Sequence, residues 1–301
     1  MNDISFSILG RPFYAENIPD FLEHWLEKNW HFPEHSVPEF PYQITLKVLN
    51  EAPKLGKGGL RKSEADINDE VFWWRKDENK WWFQEGDSGI QFILEPDTFN
   101  ISLWGLNKDR QLKRIITALY LALIESVRAS GLFPLHASVA IKDGVTTAYT
   151  GESGMGKSTT LVKAMVDHAV PLAEDFSWLD PQTTIIYGWD HGLRFWEDGW
   201  GKLPLKFKKM DWQEDVDGKM ILPWDKLNIE RTVETRLDHL VVLKRAPEKN
   251  GAPGMQSIPP HQAVRVLWEA TGIPLTEFTK KEVSKGIGQL ISHVEVAELY
   301  I

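Results

Sequence analysis

The chain reads as an α/β (α+β) protein of two parts. One is an N-terminal domain rich in tryptophan, mainly antiparallel strands plus a helix; the other is a C-terminal nucleotide-binding domain. Three observations predict this. Residues 151–158, Gly-Glu-Ser-Gly-Met-Gly-Lys-Ser, have the spacing G-x-x-x-x-G-K-[ST] of a phosphate-binding P-loop (Walker A), with a strand-like segment before and a helix-like segment after. Between Val71 and Trp104, four short β-branched and aromatic runs recur at close intervals, separated by turn residues. A long apolar-striped segment at 107–131 joins the two patterns. The expected layout is an N-terminal domain over 1–106, a connecting helix over 107–131 and a nucleotide-binding domain over 132–301.

In chain order, Ile4 to Leu9 is a short strand candidate. Ile18 to Trp30 has helical spacing, with Phe21, Leu22, Trp25 and Leu26 on one face. Three prolines make His31 to Tyr42 a loop. Ile44 to Leu49 alternates as a strand does, and Glu51 to Asp69 is polar, with Lys54, Lys57, Gly58 and Gly59 marking a mobile loop. Strands are expected at 71–74, 80–84, 89–94 and 99–104, an antiparallel meander. The pairs Trp73/Trp74 and Trp81/Trp82 place one ring on each face of their strands. Two uses fit them, core packing or an aromatic platform for a ligand.

The connecting helix has Asn107 as N-cap and Gly131 as C′ residue. Its stripe is Leu112, Ile115, Ile116, Leu119, Leu123 and Val127, and about 24 residues make it roughly 36 Å long. Leu135 to Ile141 reads as a strand turning at Lys142-Asp-Gly144 into the strand Val145 to Thr150. Beyond the P-loop helix, strands are expected at Ala169 to Ala173, Phe176 to Leu179, Thr183 to Tyr187, Gly192 to Trp196, Asp217 to Leu222 and Leu237 to Leu243. Gly199 to Asp217 is irregular and Arg245 to Ser257 a loop. Pro259 to Thr271 is a helix opening on proline, and the tail from Thr276 reads as helical, weakened at Gly286 to Gly288.

Composition excludes several classes. A net charge of −9 with no basic block argues against nucleic acid as a partner. The absence of cysteine removes disulfides, thiolate-bound zinc and a thiol nucleophile, and suits an intracellular protein. No signal peptide is visible, and the longest apolar run, Ile115 to Ile124, is too short for a membrane span, so a cytoplasmic location is expected.

Each residue of the loop has a physical task. Gly151, Gly154 and Gly156 permit the turns that bring the N–H groups of Ser153, Met155, Lys157, Ser158 and Thr159 around an anion. Lys157 adds charge for the β and γ phosphates, Ser158 a hydroxyl for Mg²⁺, and the helix start a favourable dipole. Two further elements flank the loop. His136 precedes Gly151, and Glu174-Asp175 follows it at the end of an apolar strand, where carboxylates can hold Mg²⁺ and accept a proton from an attacking hydroxyl. Arg194 is the best candidate for a cation facing the γ-phosphate, with Lys219 another. A GTPase switch is disfavoured, since no Asn-Lys-x-Asp motif follows the loop.

Leu135-His136-Ala137, Gly151 to Ser158 and Leu172-Ala-Glu174-Asp175 together resemble the HPr kinase/phosphorylase family, whose pattern is Leu/Met-His-small, a hairpin, Gly-x-x-Gly-x-Gly-Lys-Ser and a strand ending in paired aspartates. The resemblance spans about 40 residues directly. It implies a phosphoenolpyruvate-carboxykinase-like domain with a mixed sheet, and phosphoryl transfer from ATP to a serine hydroxyl. By position, Asp175 or Glu174 is similar to the family's base and metal carboxylates, and His136 to its phosphate-site histidine. The chain departs from the family in carrying Glu174 for the first aspartate and in lacking the acid-x-Arg-Gly-x-Gly run; its nearest analogue is Leu193 to Asp198. That makes it similar to the divergent members that tailor ribosomal peptides such as lasso peptides. Self-association would rest on fold analogy alone.

The expected function is an ATP- and Mg²⁺-dependent kinase (a phosphotransferase with an alcohol group as acceptor) acting on a serine of a peptide or small protein. A small-molecule alcohol such as free serine or a sugar is the alternative acceptor, and a nucleotide-sensing, peptide-binding module the non-enzymatic reading.

Overall fold

The structure is a computed structural model that describes residues 1–32, 35, 37, 39–53, 66–67, 71–77, 79–106, 109–196, 199, 203–214, 218–227, 229–245 and 254–301. The expected N-cap Asn107 and most of the expected loop at 51–69 lie outside them. The fold is mixed α and β, two of the four sheets among the described residues being mixed, and divides into two compact units, Met1–Ser130 with Pro274–Glu282 and Gly131–Ile273 with Val283–Ile301. The segment expected as a connector therefore falls, up to Ser130, within the first unit.

The first unit contains β1 (Asn2–Ile8), β2 (Arg11–Ile18), α1 (Asp20–Trp30), β3 (Gln43–Leu49), β4 (Asp66–Ile67), β5 (Val71–Asp77), β6 (Lys80–Glu85), β7 (Ser88–Leu94), β8 (Thr98–Trp104) and α2 (Asp109–Ala129). Its eight strands form one sheet in the order β1-β2-β3-β8-β7-β6-β5-β4. The meander β5 to β8 is antiparallel throughout. The sheet is nonetheless mixed, because β3 runs parallel to both β2 and β8; α1 supplies the crossover that a parallel β2–β3 pair requires. β2 was not expected, since Pro12, Glu16 and Asn17 dilute its alternation, yet Phe13, Ala15 and Ile18 are buried. On α1 the buried stripe is Leu22, Leu26 and Trp30, and Phe21, expected on that face, is exposed. Trp81 and Trp82 are both buried, one stacked on Phe92 and the other tilted against Trp104; for this pair the core reading holds. The side chains of Trp73 and Trp74 lie outside the description. Ile115, Leu119, Leu123 and Val127 of α2 are fully buried.

The second unit contains β9 (Phe133–Leu135), β10 (Ser138–Lys142), β11 (Val145–Thr150), α3 (Lys157–Val166), β12 (Val170–Ala173), β13 (Ser177–Leu179), β14 (Ile185–Gly188), β15 (Gly192–Phe195), α4 (Leu205–Lys208), β16 (Gln213–Glu214), β17 (Met220–Pro223), β18 (Glu234–Arg236), β19 (His239–Lys244), β20 (Gly254–Ser257), α5 (Pro260–Thr271) and β21 (Glu295–Tyr300). A last helix, α6 (Glu277–Leu290), belongs to the first unit up to Glu282 and to the second from Val283. Six strands form a mixed sheet, β12-β10-β11-β19-β21-β20; four form β18-β14-β13-β9, and three form β15-β17-β16. Adjacent residues of β10 serve opposite faces, as a strand's alternation requires. Val139 joins a core with Leu267 of α5 and Ile287 of α6, and Ala140 one with Leu161 of α3, Leu193 and Leu222.

Three expectations change here. The strand expected over Leu135 to Ile141 breaks at His136-Ala137, where the chain leaves the four-stranded sheet for the six-stranded one. Residues 254–257, expected as loop, form β20 on the sheet edge. The tail is helical only to Leu290; residues 295–300 are β21, parallel to β19 and antiparallel to β20. Two flanking strands supply hydrogen bonds that override the local helical reading. α6 continues through Gly286, where a Cβ would lie 2.3 Å from Cζ of the buried Phe133 and 2.9 Å from Cγ of Pro181. Gly286→Ala is therefore expected to lower stability by about 1–3 kcal/mol through overpacking, despite alanine's better helix propensity; urea unfolding measures it. Among the described residues no helix is long and apolar enough to cross a membrane.

Candidate functional site

β11 carries the chain into the loop from the middle of the six-stranded sheet, between β10 and β19. The turn needs glycine where it bends back: Gly156 has φ 90°, and Gly151 has φ 143° with its missing Cβ only 3.0 Å from the Leu243 carbonyl oxygen. α3 starts at Lys157 on Gly156 with no side-chain cap, which leaves the amides of its first turn free of a side-chain acceptor, the arrangement that suits an anion. Ser153 and Gly154 are exposed on the rim, and Met155, Ser158 and Thr159 are half-buried. Lys157 is buried to 7% exposure and its Nζ donates to the Gly151 carbonyl at 3.0 Å. Burial lowers its pKa from the usual lysine value; Asp175 and Glu174 oppose that, and Lys219 adds to it.

The other functional groups stand where the chain changes sheets. β9 and β13 belong to the four-stranded sheet, β10 and β12 to the six-stranded one. His136 occupies the step from β9 to β10, and Glu174-Asp175 the step from β12 to β13. Two side-chain–backbone bonds hold this seam: the Ser138 hydroxyl donates to the Glu174 carbonyl at 2.5 Å, and the Thr150 hydroxyl to the His136 carbonyl at 3.0 Å. The second ties the end of β11, hence the loop, to the histidine.

The two carboxylates differ. Glu174 is 2% exposed, with its carboxyl beside the Ser158 hydroxyl. Burial first, then Asp175, pushes its carboxyl up to about 8; the neighbouring Ser158 hydroxyl and Lys219 work the other way. Asp175 is a third exposed and lies 3.4 Å from Nδ1 of His136. The imidazole is half open to solvent, yet loss of solvation lowers its pKa; Asp175 opposes this, and Lys157 and Lys219 reinforce it. Neutral imidazole is thus favoured at pH 7.

The structure brings His136, Lys157, Ser158, Glu174 and Asp175 together, and adds Lys219, whose charge acts on His136, Lys157 and Glu174. Lys219 Nζ lies 5.0 Å from the ring of the exposed Trp196, which holds it by a cation–π contact. Arg194, the first choice for the facing cation, is half-buried on β15 opposite Ile221 of β17, its neighbours Leu193 and Phe195 turned into the core. Sequence reasoning missed Asp190, whose carboxylate accepts from the backbone N–H of both Glu174 and Asp175. An aspartate between two strand candidates reads as a turn residue, and no local signal distinguishes it. Also missed were Leu243, Arg265 and Ala270, which with His136, Gly151 and Ser153 help wall a cavity of about 690 Å³ beside the loop.

A magnesium ion fits the donor set. Mg²⁺ is usually held by one or two carboxylates plus phosphate oxygens and water; Glu174 and Asp175 are candidates for the first of these, and the Ser158 hydroxyl offers one more oxygen. Among the described residues no group of three or more His, Cys, Asp or Glu side chains is arranged to hold a metal by itself. No protein-family model matches the chain, and comparison with curated proteins finds no similar sequence.

Proposed function

We propose that the chain is a P-loop kinase of HPr-kinase-like type, transferring the γ-phosphate of ATP to an alcohol, with a serine of a peptide or small protein as acceptor. The observation that supports it best is the convergence on one loop of Lys157 and Ser158 at a helix start, Glu174 buried beside Ser158, and Asp175 paired with His136. A plain phosphate-binding loop does not need a histidine–carboxylate pair beside it; a proton-transfer site can use one.

In this reading the loop amides and Lys157 bind and orient the phosphate chain. Ser158 and Glu174 would hold Mg²⁺, which when bound neutralises charge on the phosphate oxygens. Asp175 takes the proton of the attacking hydroxyl as the new O–P bond forms and the bond to the β-phosphate oxygen breaks. His136 fixes the orientation of Asp175, and Lys219 offsets charge that develops on the transferring group. The cavity wall includes His136 and Gly151, so an acceptor lying there reaches this end of the site. Its volume, about 690 Å³, lies within the range of small-ligand pockets. That favours, as a second reading, a small-molecule alcohol such as free serine or a sugar.

The test is γ-phosphate transfer from labelled ATP to candidate peptides and alcohols in the presence of Mg²⁺. Lys157→Ala and Asp175→Asn are each expected to reduce transfer on the order of a hundredfold or more. Transfer that survives both overturns the assignment. Tight ATP binding without transfer to any acceptor indicates a nucleotide-sensing module instead.

A further inference from the structure

We infer that Asp190 is the positioning residue that sets the two functional carboxylates, by gripping the peptide that links them from below. The inference rests on the kinase reading for its catalytic consequence but not for its geometry. Where the chain crosses from β12 to β13 it belongs to neither sheet, so the amides of Glu174 and Asp175 have no ladder partner. Buried amides without partners are strongly disfavoured. One oxygen of Asp190, Oδ2, accepts both, from Glu174 at 2.5 Å and from Asp175 at 3.0 Å. The other oxygen, Oδ1, accepts the indole N–H of Trp224 at 2.8 Å, and that N–H is shared with the Asp190 carbonyl at 3.0 Å. Arg231 stacks its guanidinium over the Trp224 ring at 5.1 Å and reaches the same carbonyl.

Two successive amides aimed at one oxygen fix the orientation of that peptide. Adjacent side chains then diverge: Glu174 turns inward to Ser158, and Asp175 turns to His136. Asp190 thus sets which carboxylate is the buried ligand and which faces the acceptor. The side chain meets donors on both sides. Asparagine has one oxygen and one NH₂ group, so either the two amides or the Trp224 N–H would face a donor.

The experiment is Asp190→Asn, read by Mn²⁺ binding in the presence of ATP, by the amide proton shifts of Glu174 and Asp175, and by transfer rate. Mn²⁺ affinity and kcat are expected to fall about 10- to 100-fold, as for supporting residues of metal sites, with the Mg²⁺-free affinity for ATP unchanged. Both amide protons are expected to move upfield as the charged acceptor is lost. The decisive variant is the double change Asp190→Asn with Trp224→Phe. Removing the indole N–H lets the asparagine oxygen turn to the two amides, so the double variant is expected to recover most of the Mn²⁺ affinity and the amide shifts. A general loss of folding would instead add up in the double variant. Asp190→Asn with wild-type affinity and amide shifts, or a double variant worse than the single, overturns the inference. If the wild type binds no Mn²⁺ and ATP, the kinase reading falls, and the amide shifts of the two variants still decide the role of Asp190.

Discussion

Glu174→Gln is expected to lower phosphoryl transfer on the order of a hundredfold to a thousandfold while making the nucleotide-free protein more stable at pH 8. The loss follows if Glu174 is a metal ligand, because the amide keeps the shape and removes the charge. The gain follows from linkage. Burial and the neighbouring Asp175 raise the folded-state pKa of Glu174 to about 8, against about 4.3 for a glutamate in an unfolded chain. Between these values the folded state holds the extra proton, so stability falls as pH rises through the window. Below about pH 4 both states are protonated and the penalty vanishes; above about pH 8 it is complete. Glutamine does not titrate. The stability of the variant relative to wild type should therefore grow from pH 5 to pH 8 and then level off. Since each pKa unit is worth about 1.4 kcal/mol, the gap should reach a few kcal/mol. Thermal unfolding of both proteins across this range measures it. Adding Mg²⁺ and ATP at pH 8 should reverse the order, because a bound cation favours the ionised carboxylate that only the wild type has. Parallel pH curves for the two proteins would show that the carboxyl of Glu174 is not held in a raised state. The trade is a common one, in which a site strained for function lowers the stability of the empty protein.

Glu125→Ala is expected to destabilise the first unit by about 3–5 kcal/mol. Glu125 is fully buried on α2 and its carboxylate is filled by four donors. Oε2 pairs with Arg128 at 2.6 Å. Oε1 accepts the amides of Leu275 at 2.9 Å and Thr276 at 2.8 Å, and the Thr279 hydroxyl at 2.5 Å. Thr276 in turn accepts the Thr279 amide at 3.1 Å, capping the start of α6. Truncation removes the carboxylate beside Arg128, only 4% exposed, takes the acceptor from the Leu275 amide, and leaves the Thr276 amide with the longer bond to the Thr279 hydroxyl at 3.3 Å. This junction explains why residues 274–282 fold back with the first unit although they follow α5 in the chain. Denaturant unfolding should show the loss, and hydrogen exchange at Leu275 and Thr276 should speed up with it. Glu125→Gln should fall between, since one oxygen remains for the amides. A loss below about 1 kcal/mol in the alanine variant would mean the segment is held mainly by apolar packing.

Much of the fold was legible because its signals are local. Glycines at 151, 154 and 156 before Lys-Ser announce a loop whose backbone must turn through positive φ, and the structure has all three there. The period of α2 and the turn residues between β5, β6, β7 and β8 act over a few residues and need no partner. The unexpected elements depend on neighbours. Residues 295–300 are apolar at Val296, Ala297 and Leu299, a pattern that a helix or a strand could use; the slot between β19 and β20 makes it a strand. β2 is held by β1 on one side and β3 on the other. His136 was placed within a strand, whereas the break that exposes it arises because two different sheets claim the residues on either side.

The sequence by itself determined the loop, the helix that follows it, and the residue types His136, Glu174 and Asp175 at their spacing. Those are covalent facts, and the chemistry of a lysine, a hydroxyl and two carboxylates near a helix start follows from them. Only the tertiary structure decided which carboxylate is buried against Ser158 and which meets His136. It also made Lys219 the cation acting on that group and put Asp190 under the connecting peptide. The reason is physical: local periodicity fixes which face a side chain takes. Orienting two adjacent acids in different directions requires hydrogen-bond partners brought from 15 and 16 residues away, a distance at which local pattern carries no information.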